Sequence, residues 1–152
     1  MPQSAWRLPL EGTNIAVLAD CHIHAGGPQF PAALFPRLQD ADLIVTLGDM
    51  GEKSGLDQLE EIAPVLGVRG ADDVDDPRTN RPVMLLDSGR YRIGCVFDAR
   101  VAGLAASSDP FVAADEADAT VQRLFGCQPD ILLHASTHRA DEAKFGPAGT
   151  AL

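Results

Sequence analysis

No stretch of this chain approaches the ~20 consecutive apolar residues of a membrane-spanning helix, so no span is expected. The first residues carry no basic segment leading into an apolar one, so no signal peptide is expected and the expected location is the cytoplasm. Cysteine is scarce. Cys21, Cys95 and Cys127 are odd in number and far apart in the sequence, which argues against a disulfide framework and for reduced thiols. Cys127 reads as packing or surface, and Cys21 as a bystander between two candidate ligands more than as a reactive thiol. Positive charge is also short: 12 Lys and Arg face 22 Asp and Glu, for a net charge of −10. Such a surface repels nucleic-acid backbone and anionic lipid, so neither nucleic acid nor membrane is expected as a partner. An anionic ligand would need positive charge supplied locally, by a metal or a few arginines. Repeats and low-complexity segments are absent.

What is present is an ordinary globular composition, 45% hydrophobic and 22% charged over 152 residues. That is enough for one core, and residues 1–152 are read as a single domain. The chain is organised around Asn14 to His24, NIAVLADCHIH. Ile15 to Leu18 is a short apolar run read as a buried strand that delivers polar side chains to the C-terminal edge of a sheet, where open α/β sheets place ligands. Asp20 and His22 are two apart, so on an extended backbone they would point the same way. A carboxylate and an imidazole together suit a divalent metal.

Trp6 is read as covering the sheet edge. Gly26-Gly27-Pro28 forces a loop, and Phe30 to Leu38 reads as a short helix broken or kinked near Pro36. Leu43 to Leu47 is a second buried strand, ending in Gly48-Asp49. Leu56 to Ala63 reads as a helix closed by Pro64, and Val65 to Val68 as a third strand ending in Arg69-Gly70-Ala71-Asp72-Asp73. Three strand–loop–helix units in a row argue for a parallel sheet. Residues 71–82 read as a loop. Val83 to Leu86 and Tyr91 to Phe97 flank Asp87-Ser88-Gly89-Arg90, a hairpin signal, so the sheet turns mixed or a second sheet begins. Asp109-Pro110 starts a helix whose apolar spacing runs through Ala114, Ala117, Val121, Leu124 and Phe125 to a cap at Gly126. Ile131 to His134 is a further short strand, followed by Ala135-Ser136-Thr137-His138. The tail is weakly patterned, with Gly146-Pro147 as a turn.

All four histidines fall at two strand ends: His22 and His24 after the first strand, His134 and His138 at the last. With Asp20 and Asp49 also at strand ends, that concentration points to one site. The order of motifs Asp20-Cys21-His22, Gly48-Asp49, Gly70-Ala71-Asp72-Asp73, Asp98-Ala99-Arg100 and Ala135-Ser136-Thr137-His138 resembles the pattern of calcineurin-like metallophosphoesterases, nearest the small bacterial phosphodiesterase branch. The resemblance spans nearly the whole chain. It implies an α/β fold, a two-sheet β-sandwich flanked by helices, holding divalent metal such as manganese, iron or zinc. It implies Asp20, His22, Asp49 and His138 as the ligands of one metal, all four present. The ligands of the second metal fall on Ala71, Asp98 and Ser136, where alanine cannot ligate and neutral serine is a poor ligand. One divalent ion is therefore expected, with the second site degenerate.

A lone metal gives less transition-state charge stabilisation than a pair. Arg100 and Arg69 are candidates for positive charge where the second ion would sit, and Asp98 with Arg100 reads equally as an ion pair filling that place. The family's leaving-group acid, a His in some branches, falls on Asp72, so no general acid is assigned. His24 and His134 lie outside the implied ligand set, as extra ligands or as surface residues. The resemblance also implies a closing strand that Gly149-Thr150-Ala151-Leu152 only begins, so the C-terminal part reads as shortened. A bare sheet edge there would make a homodimer.

The function implied is metal-dependent hydrolysis of a small phosphate ester, mono- or diester, at reduced activity. The alternative is a non-catalytic member that binds metal, nucleotide or a protein partner. A third reading is a mononuclear zinc site of other chemistry on His22, His24 and His138.

Overall fold

The computed structural model describes residues 6–7, 13–104, 110–138, 144–145 and 150–151. In chain order the elements are β1 (Trp6–Arg7), β2 (Ile15–Leu18), α1 (Leu34–Leu38), β3 (Leu43–Thr46), α2 (Lys53–Glu60), β4 (Val65–Gly67), β5 (Val83–Asp87), β6 (Arg92–Val96), α3 (Pro110–Phe125), β7 (Ile131–Leu133), β8 (Lys144–Phe145) and β9 (Thr150–Ala151). They form two sheets. One is three-stranded and parallel, in the order β2-β3-β4. The other is six-stranded and mixed, in the order β1-β5-β6-β7-β9-β8, with β5 and β6 as its antiparallel hairpin.

Alternation along the strands stacks these sheets. On β3, Leu43 and Val45 meet Met84, Leu86 and Cys95 of the other sheet, forming the core between the two. Ile44 points the other way, onto Leu56 and Leu59 of α2 and Leu38 of α1. On β5, Val83 and Leu85 face Val121 and Phe125 of α3. The result is a helix–sheet–sheet–helix layering. Burial on both faces explains why β3 reads as a continuous apolar run and not as an alternating one. Among the described residues no helix is long and apolar enough to cross a membrane.

The structure moves several boundaries. Pro36 does not kink α1 but sits in its first turn, where a missing N–H leaves no bond unmade. Helix α2 starts at Lys53, three residues ahead of its first large apolar residue. Trp6 pairs through its backbone with Leu86, at the edge of the larger sheet. The bare edge expected beside the last strand carries β9, which pairs with β7 at Ala151 and with β8 beyond it. The edge of that sheet on this side is therefore β8. The Asp109 cap and the Gly146-Pro147 turn lie outside the described residues.

Candidate metal centre

Parallel pairing of β2, β3 and β4 brings the polar clusters after each strand to one edge. The ladder continues past the strands: the Asp20, His22 and Ile23 amides donate to the carbonyls of Gly48, Asp49 and Met50 at 3.0, 2.9 and 2.9 Å. Two glycines permit this closeness. A Cβ on Gly48 would lie 2.5 Å from the Phe97 ring, and one on Gly70 would lie 2.4 Å from Asp49 Oδ1. The Asp73 carboxylate then clasps the turn, accepting the amides of Asp49, Met50, Gly51 and Gly70 at 3.0, 2.7, 3.2 and 2.6 Å.

Within this frame the described non-glycine residues with positive φ are Asp20, His22, Asp49, Ser136 and His138, at 53°, 47°, 52°, 71° and 55°. Four of the five are the candidate ligands. The left-handed region costs a non-glycine residue on the order of 1–3 kcal/mol and collects at functional sites. Asp20 and His22 therefore do not converge by strand alternation; each is turned by its own left-handed backbone.

Ligand atoms from Asp20, His22 and His138 all lie within 4.8 Å of one another. His138 Nε2 is 3.6 Å from Asp20 Oδ1, and His22 Nε2 is 3.8 Å from Asp49 Oδ2. Atoms bound at about 2.0–2.2 Å to a shared ion stand roughly 3–4 Å apart. Asp20 Oδ1 is buried with no hydrogen-bond partner, an arrangement that costs free energy unless something fills it. Its other oxygen accepts the Ser136 amide at 3.3 Å, and Asp49 Oδ1 accepts the Asp72 amide at 2.8 Å. Asp20, His22 and His138 thus gather one carboxylate and two imidazoles where a divalent cation would fit, while Asp49 stands outside that cluster and approaches it through His22.

Asp72, not assigned a role from its position in the motif, orients His22 and bonds Asp49. A carboxylate only accepts, so His22 Nδ1–H donates to Asp72 Oδ2 at 2.7 Å, leaving Nε2 as the lone-pair nitrogen beside Asp49. The same bond holds the imidazole above its ordinary range, with Asp49, Asp72 and Asp20 adding charge against partial desolvation. In return His22 and His24 hold the Asp72 carboxyl below its ordinary range. His24 Nε2–H donates to the same oxygen at 3.0 Å, and His24 is not among the clustered ligand atoms. This disfavours a zinc site on His22, His24 and His138. His134, at the end of β7, leaves a buried Nδ1 without a partner and is also outside the cluster. Burial and the neighbouring Asp20 charge push the Cys21 thiol up to about 11, so it stays protonated near neutral pH.

The residues of the degenerate site bond to one another. Asp98 accepts Arg100 Nη2 at 2.9 Å and Ser136 Oγ–H at 3.0 Å, and these bonds hold its carboxyl well below the usual range. Arg100 is thus spent on Asp98. Arg69 donates to Asn80 Oδ1 at 3.1 Å and Asp75 at 3.4 Å, and it lines a cleft of about 830 Å³ shared with Asp49, Ala71, Asp98 and Ser136.

A parallel three-stranded sheet packed on a mixed sheet between helices, with Asp and His gathered at the strand ends, defines a four-layer metallohydrolase-like architecture. Residues 14–144 match the calcineurin-like phosphoesterase superfamily domain, and the chain belongs to that superfamily. It is similar to a probable metallophosphoesterase of Methanocaldococcus jannaschii, 36% identical over 83 residues, covering 54% of this chain and 41% of that protein. It is also similar to one of Methanothermobacter thermautotrophicus, 31% identical over 86 residues, covering 54% of this chain and 48% of that one. The matches thus span about half the length of these curated relatives. Among solved structures, Vps29 from Entamoeba histolytica complexed with zinc shares the fold, with a TM-score of 0.65, 21% identity, and coverage of 90% of this chain and 71% of that one.

Proposed function

We propose that this chain is a phosphoesterase that works with one divalent ion, manganese, iron or zinc, held by Asp20, His22, Asp49 and His138. The observation that carries the reading is the contrast between two neighbouring sets of residues. Asp20 Oδ1 stands buried and unpartnered among the first set, whereas Asp98, Arg100 and Ser136 satisfy one another. A divalent ion supplies Lewis acidity toward a phosphoryl oxygen and makes water nucleophilic near neutral pH. The chain's own part is to hold two carboxylates and two imidazoles on left-handed backbone, and to keep His22 Nε2 turned inward through Asp72. Arg100, bonded to Asp98, does not stand in for a second ion beside Asp49. Activity is accordingly low, and the substrate is a small phosphate ester.

The test is hydrolysis of bis(p-nitrophenyl) phosphate and p-nitrophenyl phosphate with added manganese or zinc, beside Asp49→Asn. Metal-dependent turnover lost in the variant is expected. Metal binding without turnover on any ester would favour the second reading, a non-catalytic binding protein, which the self-bonded Asp98–Arg100–Ser136 group also supports.

A further inference from the structure

The cleft beside the metal centre takes its shape from what this chain has put in place of a second ion. Ala71, Asp98 and Ser136, the three positions of the degenerate site, all line it, and it meets the candidate centre at Asp49. Beyond them its walls are apolar: Val83 and Val96 from the sheet, Phe97, Val101 and Ala102 from the following loop, and Leu124 from α3. Val101 is 86% exposed at its rim. A volume of about 830 Å³ lies within the ~300–1,000 Å³ of sites for small organic ligands.

Much of the polar surface on these walls is engaged within the chain. Asn80 Oδ1 accepts from Arg69. Arg81 donates to the carbonyls of Gly67, Pro77 and Arg78 at 2.8, 2.9 and 2.6 Å. Asp98 is bonded to Arg100 and Ser136. A sugar or polyol entering here would lose water from its hydroxyls without matching partners, which is costly. An aryl or alkyl group would gain by leaving water. At the same time Arg69 gives the mouth a cation in an acidic chain.

We infer that this cleft is the binding site for the organic group of the substrate, and that the substrate class is the phosphate esters of aromatic or aliphatic alcohols, not those of sugars or polyols. The inference rests on the reading that the phosphate binds at Asp20, His22, Asp49 and His138.

Calorimetry on the manganese-loaded protein separates the two. The probes are non-hydrolysable methylphosphonate and phenylphosphonate, with inorganic phosphate as the reference. The expected result is phenylphosphonate binding at least about tenfold tighter than methylphosphonate, with that preference lost in Ala102→Phe, which fills the cleft away from the metal ligands. Ala71→Leu, at an exposed position on another wall, repeats the test independently of how Ala102→Phe folds. If phosphate and both phosphonates bind with equal affinity, or the preference survives both fillings, the cleft assignment is overturned while the metal reading stands. If neither phosphate nor any phosphonate binds, the metal reading fails and takes the substrate class with it.

Discussion

Asp72→Ala is the substitution whose outcome follows most directly from the geometry. Asp72 Oδ2 holds the Nδ1–H of His22 at 2.7 Å, and its backbone amide, which the substitution keeps, donates to Asp49 Oδ1 at 2.8 Å. It contributes by fixing the tautomer and the ring plane, so that Nε2 faces Asp49 Oδ2 across 3.8 Å. Removing such a partner of a metal-bound histidine weakens metal binding roughly 10–100-fold. Asp72→Asn retains an acceptor without the charge, so it should fall between the variant and the parent. The pH dependence distinguishes orientation from plain loss of structure. Asp72 is the main cause that raises the His22 pKa, and a proton on His22 competes with the metal. In the parent, affinity therefore falls as pH drops through a value above the ordinary ~6.5. In Asp72→Ala the same fall comes at lower pH, so the affinity gap is widest near pH 8 and narrows toward pH 6. Titration calorimetry with zinc or manganese at those pH values is the assay. Equal affinity of parent and Asp72→Ala at pH 8, or a gap independent of pH with folding intact, refutes the orienting role.

Asp73→Ala removes the acceptor of four backbone amides around the Asp49 turn. It should cost about 3 kcal/mol in chemical denaturation and abolish metal binding without touching a ligand. Asp76→Ala takes from the Arg78 guanidinium its most buried carboxylate partner, 2.7 Å away, while Glu60 and Asp57 stay paired to it, and should cost about 2 kcal/mol, or roughly 4–8 °C in melting temperature. The Asp76 carboxyl is held below its ordinary range by Arg78. Its contribution is thus complete above the unfolded value of about 3.9 and is lost as pH falls through the lower folded value. The difference between parent and variant should shrink toward pH 2. Ala71→Asn, Asp98→His and Ser136→His made together restore ligand chemistry and release Arg100. Bound metal measured by mass spectrometry should rise from one to two ions per chain, with faster ester hydrolysis.

Much of the frame was legible because it rests on short-range pattern. The apolar runs of β2, β3 and β4 with charge at their ends announce strands that deliver a site, and Gly48-Asp49 is a turn signature that only glycine can fit under Phe97. Of the four ligands that the family resemblance implies, the structure brings Asp20, His22 and His138 together and leaves Asp49 beside them. What stayed hidden depends on contacts between loops. The role of Asp72 arises across 50 positions from His22, and Ser136 reaches Asp98 from 38 positions away, whereas the Asp98–Arg100 ion pair, two positions apart, was legible and is present. The start of α2 was missed because its first turn carries Gly55, which is needed where a Cβ would stand 3.2 Å from Ile23. Hydrophobic spacing does not mark such a residue. The left-handed backbone of the ligands is only weakly signalled, since Asp and His enter that region more often than most residues but are mostly found outside it.

The central claim is that this fold holds a single ion, at Asp20, His22, Asp49 and His138. The most direct measurement is the metal content of protein loaded with excess manganese or zinc and freed of unbound ion, beside His22→Ala prepared in the same way. The account predicts one ion per chain in the parent and none in the variant. No ion in the folded parent, two ions in the parent, or full retention in His22→Ala would contradict it.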